Sequence, residues 1–241
     1  MKRLFVFLFM MISLPAILPA QEEARRQIYK SYQAEDMARW ETILTDFGRK
    51  PGLSPSERRF YARNLYGYVG YLLSQDEEEK ARLYLDQAWE QVDALLEKDA
   101  FRAEMTAMKS GLTGYEIALA PYKAPYLGFR SIHFVDKALD IDPQNPFAWM
   151  EKGNIAFFAS FLNYGYGNAT TYYQAAVDFF EQSGDTQYCW LYLNTLAQLG
   201  RSHEKSGNYK EAGRVYQKTL RIAPGFSWVR DELYPKWKAQ G

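Results

Sequence analysis

The residue types that most often carry chemistry are few in this chain and widely spaced. His133 and His203 lie far apart, and Cys189 is the single cysteine between them. A zinc site draws three or four such ligands into one shell, and this spacing supplies no ligand pattern for it. The acidic run Asp76-Glu77-Glu78-Glu79 has the composition of a cation site. It equally has the composition of a first helical turn, where exposed amides and the helix dipole favour carboxylates, and the helix start is the better reading. No glycine-rich phosphate loop, GxSxG elbow or HExxH pair occurs. The sequence therefore predicts no catalytic residues, no metal, no cofactor and no enzyme.

Tyrosine is the residue whose placement says most. Tyr115, Tyr122 and Tyr126 flank a proline-rich turn, APYKAPYLGF. Tyr164, Tyr166, Tyr172 and Tyr173 flank a second irregular stretch, FFASFLNYGYGNATTYY. A tyrosine offers a large rigid face with a polar tip, which suits recognition of a peptide or a small amphipathic ligand. The same rings would also fill the space between elongated helices. Both roles stay open at the level of sequence.

These side chains must be held by helices, because no segment shows sustained alternation of apolar and polar residues. Residues 22–33 and 35–48 read as a first pair, with Ile28, Tyr29 and Tyr32 facing Met37, Trp40, Ile43, Leu44 and Phe47. Ser54-Pro55-Ser56-Glu57 is a helix start with cap, proline and capping-box glutamate. Ser74, with Glu77 three residues on, reads as the cap of a helix over 75–97. A helix over 100–120 is followed by Pro121 and Pro125, which break it, and by a helix over about 126–140 carrying Phe129, Ile132, Val135, Ala138 and Leu139. Asn145-Pro146 starts another. Gly165 and Gly167 predict a turn, and Asn168 a cap for a helix over 169–183. Asp185 reads as the cap of a helix over about 186–206. Ser227 reads as the cap of a closing helix over 227–239, kinked or ended by Pro235, with Trp228 and Trp237 as candidate exposed rings.

Residues 194–224 carry the strongest local pattern. Gly200 and Ala212 are small residues on two successive helices, and Leu199, Tyr209, Tyr216 and Leu220 supply the bulk around them. Small residues let helices approach where large ones hold them apart. Gly207 suits a left-handed helix end, Asn208 with Glu211 suits a capping box, and Pro224 stops the second helix. This order resembles the tetratricopeptide repeat (TPR), a helix hairpin of about 34 residues. His203 and Thr219 depart from it, standing where that family prefers Tyr and Ala. Weaker copies follow the same pattern at Ala81 and Ala88, with Gly70 eleven residues before Ala81; at Ala138 and Pro143; and at Trp149 and Gly153. Between Pro143 and Pro224 the chain exceeds two standard repeats by about thirteen residues. That surplus is expected mostly between Gly153 and Ala176.

The resemblance implies an all-α, right-handed solenoid of about four to five helix hairpins. Units are expected at about 22–50, 54–98, 100–144, 145–184 and 186–225, with a capping helix at 227–239. It implies a scaffold that binds a protein or peptide, along the concave surface near the tyrosine-rich loops. A tight curl could instead enclose an apolar pocket for a small ligand, and packing between copies would give a third, structural role.

Composition sets the address. The chain has 241 residues, with Lys+Arg and Asp+Glu equal at 29 each, which removes the electrostatic case for nucleic acid. Residues 1–20 read as a cleaved signal peptide: Lys2 and Arg3, an apolar run from Leu4 to Leu14, Pro15, and cleavage after Ala20. The run is short for a membrane span, so the mature chain over 21–241 is expected to lack one. A single cysteine after export gives no disulfide framework, which points to a bacterial periplasm, an envelope protein as partner, and a buried inert Cys189.

Overall fold

The computed structural model describes residues 17–159 and 165–239, and among them there is no strand. The helices are α1 (Ile17–Ala34), α2 (Met37–Arg49), α3 (Pro55–Ser74), α4 (Glu78–Leu96), α5 (Arg102–Leu119), α6 (Ala124–Ile141), α7 (Pro146–Phe158), α8 (Gly165–Ser183), α9 (Trp190–Lys205), α10 (Tyr209–Ile222) and α11 (Tyr234–Lys238). A 3-10 turn, Pro121–Lys123, precedes α6, and a π-helical turn, Trp228–Leu233, precedes α11. Each helix from α1 to α10 packs on the next, giving five successive hairpins. The expected signal peptide lies largely outside the described residues.

Several helix starts follow the local code. Ser54 Oγ accepts from the Glu57 amide at 3.3 Å, and a Glu57 carboxylate oxygen accepts from the Ser54 amide at 2.9 Å. Asn145 Oδ1 accepts from the Ala148 amide at 3.1 Å, with Pro146 next in line. Gly207 takes the left-handed conformation, φ 77°.

Other expected caps fail, each for a local reason. Ser74 ends α3 instead of starting α4: its hydroxyl donates back to the Tyr71 carbonyl at 2.6 Å. Helix α4 instead relies on Glu78 and Glu79 in its first turn. Asn208 precedes α10 but its side chain makes no capping bond. Its own carbonyl already accepts the Glu211 amide, at 3.1 Å. Ser227 donates to Glu35 on the end of α1 at 2.6 Å rather than capping. The glycine turn ends at Gly165, φ 64°, so Gly167 and Asn168 lie inside the first turn of α8. Asp185 caps nothing; α9 begins later, at Trp190.

The small-against-large packing is concrete in the hairpins. A Cβ on Gly200 would lie 2.3 Å from Tyr216 Cε1, so the tyrosine ring needs that glycine. The same arrangement recurs one unit earlier, where a Cβ on Gly153 would lie 2.6 Å from the Tyr173 ring. Between α5 and α6 the close approach is Ser110 to Ser131, with hydroxyls 2.9 Å apart. Leu199, Ala81, Ala88, Ala138 and Ala212 are all buried. Gly70 plays a different part from the expected one: it faces α5, where the Tyr115 hydroxyl fills its space. Tyr209 is about half exposed and adds little bulk. The ring that comes against α10 is Trp237, over Gly213.

The spacing of these pairs locates the surplus residues. Gly153 and Tyr173 are separated by more residues than Gly200 and Tyr216, by only about four of the thirteen extra. The greater part therefore lies beyond Tyr173, in the end of α8 and the connection 184–189, and not mostly before Ala176.

That connection closes the array on itself. Asp185 pairs with Arg25 of α1 and, at 3.1 Å, with Arg63 of α3. Arg63 and Arg59 both pair with the buried Glu104 of α5. Tyr188 meets Tyr29 edge-on at 5.7 Å. One helix further, Trp190 Nε1 donates to Asn64 Oδ1 at 3.0 Å, and its ring packs on Gly67 and Trp40. Tyr32 of α1 donates to Asn194 of α9 at 3.0 Å. A second small core then joins Tyr29 to α9, α10 and the closing turn through Leu193, Tyr216, Phe226 and Val229.

Candidate functional site

Helices α3, α5, α7 and α9 form the inner layer: α5 packs on α3 and α7, α9 packs on α1, and side chains of α7 and α9 reach α3 through Glu151 and Trp190. The surface that an open solenoid offers to a partner is thus occupied by the chain's own side chains. Its centre is polar. Glu151 of α7 is buried and accepts a hydrogen bond from the Tyr66 hydroxyl of α3 at 2.6 Å. It lies against Gly111 of α5, and no cation pairs with it among the described residues. Tyr173 donates to Asn154 Oδ1 beside it, at 2.8 Å. Burial, only partly offset by the hydrogen bond from Tyr66, pushes the Glu151 carboxyl up to about 7.

The neighbouring charged cluster behaves in the opposite way. Burial would raise Glu104, but the Arg63 and Arg59 guanidiniums hold it below the usual carboxylate range. Asp185 is held down likewise, Arg63 and Arg25 outweighing its burial. This cluster locks α1, α3, α5 and the 184–189 connection together.

Nothing reactive is exposed at these groups. Cys189 is buried, and burial pushes its thiol up to about 11, so it is an inert core residue as expected. Among the described residues no group of three His, Cys, Asp or Glu is placed to hold a metal ion, and no helix is long and apolar enough to cross a membrane.

The candidate tyrosines differ in how far they are packed. Tyr115 is packed between α5 and α3, its ring 5.1 Å from Tyr66. Tyr166 and Tyr172 are half-buried, the first edge-on to Phe157 at 5.4 Å and the second 5.9 Å from Trp149. Trp149 is itself tied to the preceding turn, donating to the Pro143 carbonyl at 2.8 Å. Tyr164 lies outside the described residues. Among the described candidates only Tyr122 and Tyr126 face solvent, 81% and 74% exposed.

Phe129 joins them at 78% exposure. Helix α6 packs through Leu127, Ser131, Val135 and Ala138, and Phe129 projects away from that face. Tyr122, Tyr126 and Phe129 recur at four and then three residues, the spacing of one helical stripe. That spacing was visible in the sequence; that the stripe faces outwards was not. The expected exposed pair, Trp228 and Trp237, is instead half-buried against the second core.

No protein-family model and no curated protein matches the sequence. A solved structure is similar: a thermophilic TPR protein of Thermus thermophilus, with a TM-score of 0.58 over 91% of this chain and 99% of that one. At 15% identity the likeness is one of fold. The chain is an all-α solenoid of TPR type. Two features of it bear on function: the filled inner face and the aromatic stripe on an outer helix.

Proposed function

We propose that this chain is a non-enzymatic TPR-type scaffold or adaptor of the bacterial periplasm, holding another envelope protein or peptide. A TPR-type fold is in general an interaction scaffold, and the observation that carries the reading here is the stripe Tyr122, Tyr126 and Phe129. Three large rings in water along one helix and its leading turn are costly unless something covers them. With the inner face filled, the partner is received on the outside. A photocrosslinker placed at Tyr126 of the mature protein, in its own envelope, should trap one dominant species. Replacing Tyr122 and Tyr126 by Ala should weaken that capture without unfolding the chain. Unchanged capture would remove the stripe from the reading. Export rests on the leader-like first twenty residues, and intact-mass measurement should find Gln21 as the first residue.

The small-ligand reading has less support. Two pockets of about 330 and 340 Å³ dent the surface, one walled by Gln217, Leu220, Arg221 and Tyr234, the other including Thr45, Gln87, Glu90 and Gln91. Both are open, with mixed polar and apolar walls (Leu44, Tyr61 and Tyr84 also line the second), and neither is the closed cavity that an apolar ligand requires.

A further inference from the structure

Beside the aromatic stripe runs a second row. Lys123, Arg130 and Lys137 stand seven residues apart, and all three are exposed. A seven-residue interval drifts only about 20° around an α-helix, so these cations form a nearly straight ridge along α6 and the turn that leads into it. None has a carboxylate partner among the described residues, whereas the half-buried lysines on the two neighbouring helices do: Lys109 of α5 pairs with Asp93, and Lys152 of α7 with Asp136. Lys123 and Arg130 rest only on rings, over Tyr122 at 5.9 Å and over Phe134 at 5.4 Å.

An apolar row and a parallel cationic row on one helix define the complement closely. Resting on the scaffold reading above, we propose that α6 docks an acidic amphipathic helix of a partner protein. Its apolar seam would cover Tyr122, Tyr126 and Phe129, and carboxylates at heptad spacing would face Lys123, Arg130 and Lys137. The apolar contacts supply affinity, and the charge row fixes register and orientation. An anionic membrane surface fits less well. Lipid recruitment of this kind uses clusters of about four to eight basic residues, and here there are three in a chain of zero net charge.

The test uses the full mature chain and a synthetic probe of about three heptads, with Leu on its apolar seam and Glu on the flanking positions. A second peptide carries Lys in place of each Glu. Fluorescence anisotropy should show the acidic peptide binding at least about tenfold more tightly than the basic one, the difference shrinking as salt rises. The triple variant Lys123→Glu, Arg130→Glu, Lys137→Glu should reverse the preference. The variant Tyr126→Ala, Phe129→Ala should weaken both peptides while leaving the melting temperature in place, since these side chains are exposed. Equal binding of the two peptides, binding by neither, or binding that survives both variants overturns the proposal. So does tighter association with vesicles of phosphatidylserine and phosphatidylcholine than with the acidic peptide. The scaffold reading fails separately, if the mature chain crosslinks to no envelope protein from any surface position.

Discussion

Glu151 and Gly200 show how single side chains set the character of this core. Burial keeps the folded Glu151 protonated to about pH 7, whereas the unfolded chain releases that proton near 4.5. Between those values the folded state binds the additional proton, so stability falls as pH rises through the window. A displacement of this size corresponds to about 3 kcal/mol. Glu104 and Asp185 contribute in the opposite sense, and their contribution is lost only below the ordinary carboxylate range. His203, held low by burial, acts in the sense opposite to Glu151. Urea unfolding at about pH 5 and about pH 8 should therefore show a pH-dependent loss in the natural chain that Glu151→Gln removes. The same loss in both proteins would mean another group is responsible. The glycines give a second contrast. Gly200→Ala drives a methyl into the Tyr216 ring, and overpacking of that kind costs about 1–3 kcal/mol. Gly114→Ala meets nothing within 4 Å on α5 and should stabilise by about 0.5–1 kcal/mol. Thermal melts that moved both variants in one direction would contradict this packing.

At the scale of elements, the helix ends divide into those set by side chains and those set by backbone. Ser54→Ala loses the side-chain arm of a capping box, the Oγ that accepts the Glu57 amide, and should cost about 1 kcal/mol. Asn208→Ala removes no capping bond and should shift stability by no more than a few tenths of a kcal/mol. Equal losses in the two variants would show that Asn208 caps after all. Both positions carry the same sequence signature, a capping residue followed three later by glutamate. What separates them is which acceptor reaches the amide first, the side chain at Ser54 and the backbone carbonyl at Asn208. The six residues of the α6 ridge and stripe lie at the other extreme. They are exposed rather than packed in the core, so substitutions there should act on binding and leave the helix in place.

The whole molecule is held by contacts between its first and last hairpins. Asp185 faces two guanidiniums from elements far away in sequence, and Trp190 is wedged among α1, α2 and α3. Removing Asp185 leaves Arg63 with Glu104 alone, while α1 loses an anchor at Arg25. Asp185→Ala should therefore raise amide exchange along α1 and in the first turn of α9, more than in α5 and α6. Trp190→Ala should do the same and cost about 3–5 kcal/mol, as deletion of a large buried ring does. Uniform exchange throughout the chain would show that closure adds nothing beyond the stacking of neighbours. An array held at both ends has a fixed inner face, and for that reason the proposed partner is assigned to the outer helix α6.

The helices, their order and their pairing into hairpins were legible because each signal acts within one repeat. Gly200 against Tyr216, Ser54 with Glu57, and Pro146 after Asn145 are all close along the chain, so residue type and spacing determine the local geometry. Several end assignments failed where a side chain found a partner elsewhere: Asp185 went to Arg25 and Arg63, and Ser227 to Glu35. The candidate site was half legible. Tyr122 and Tyr126 could be named, but a tyrosine beside a core and a tyrosine facing water look alike in sequence. Only packing of the inner layer separated them, placing Tyr115 against Tyr66 and leaving Tyr122, Tyr126 and Phe129 in solvent. The amino-acid order alone thus determined a stack of helix pairs, because that follows from local periodicity and small residues. Whether the stack stayed open or closed was decided by tertiary structure, because it depends on charges and rings that meet only after the chain has folded.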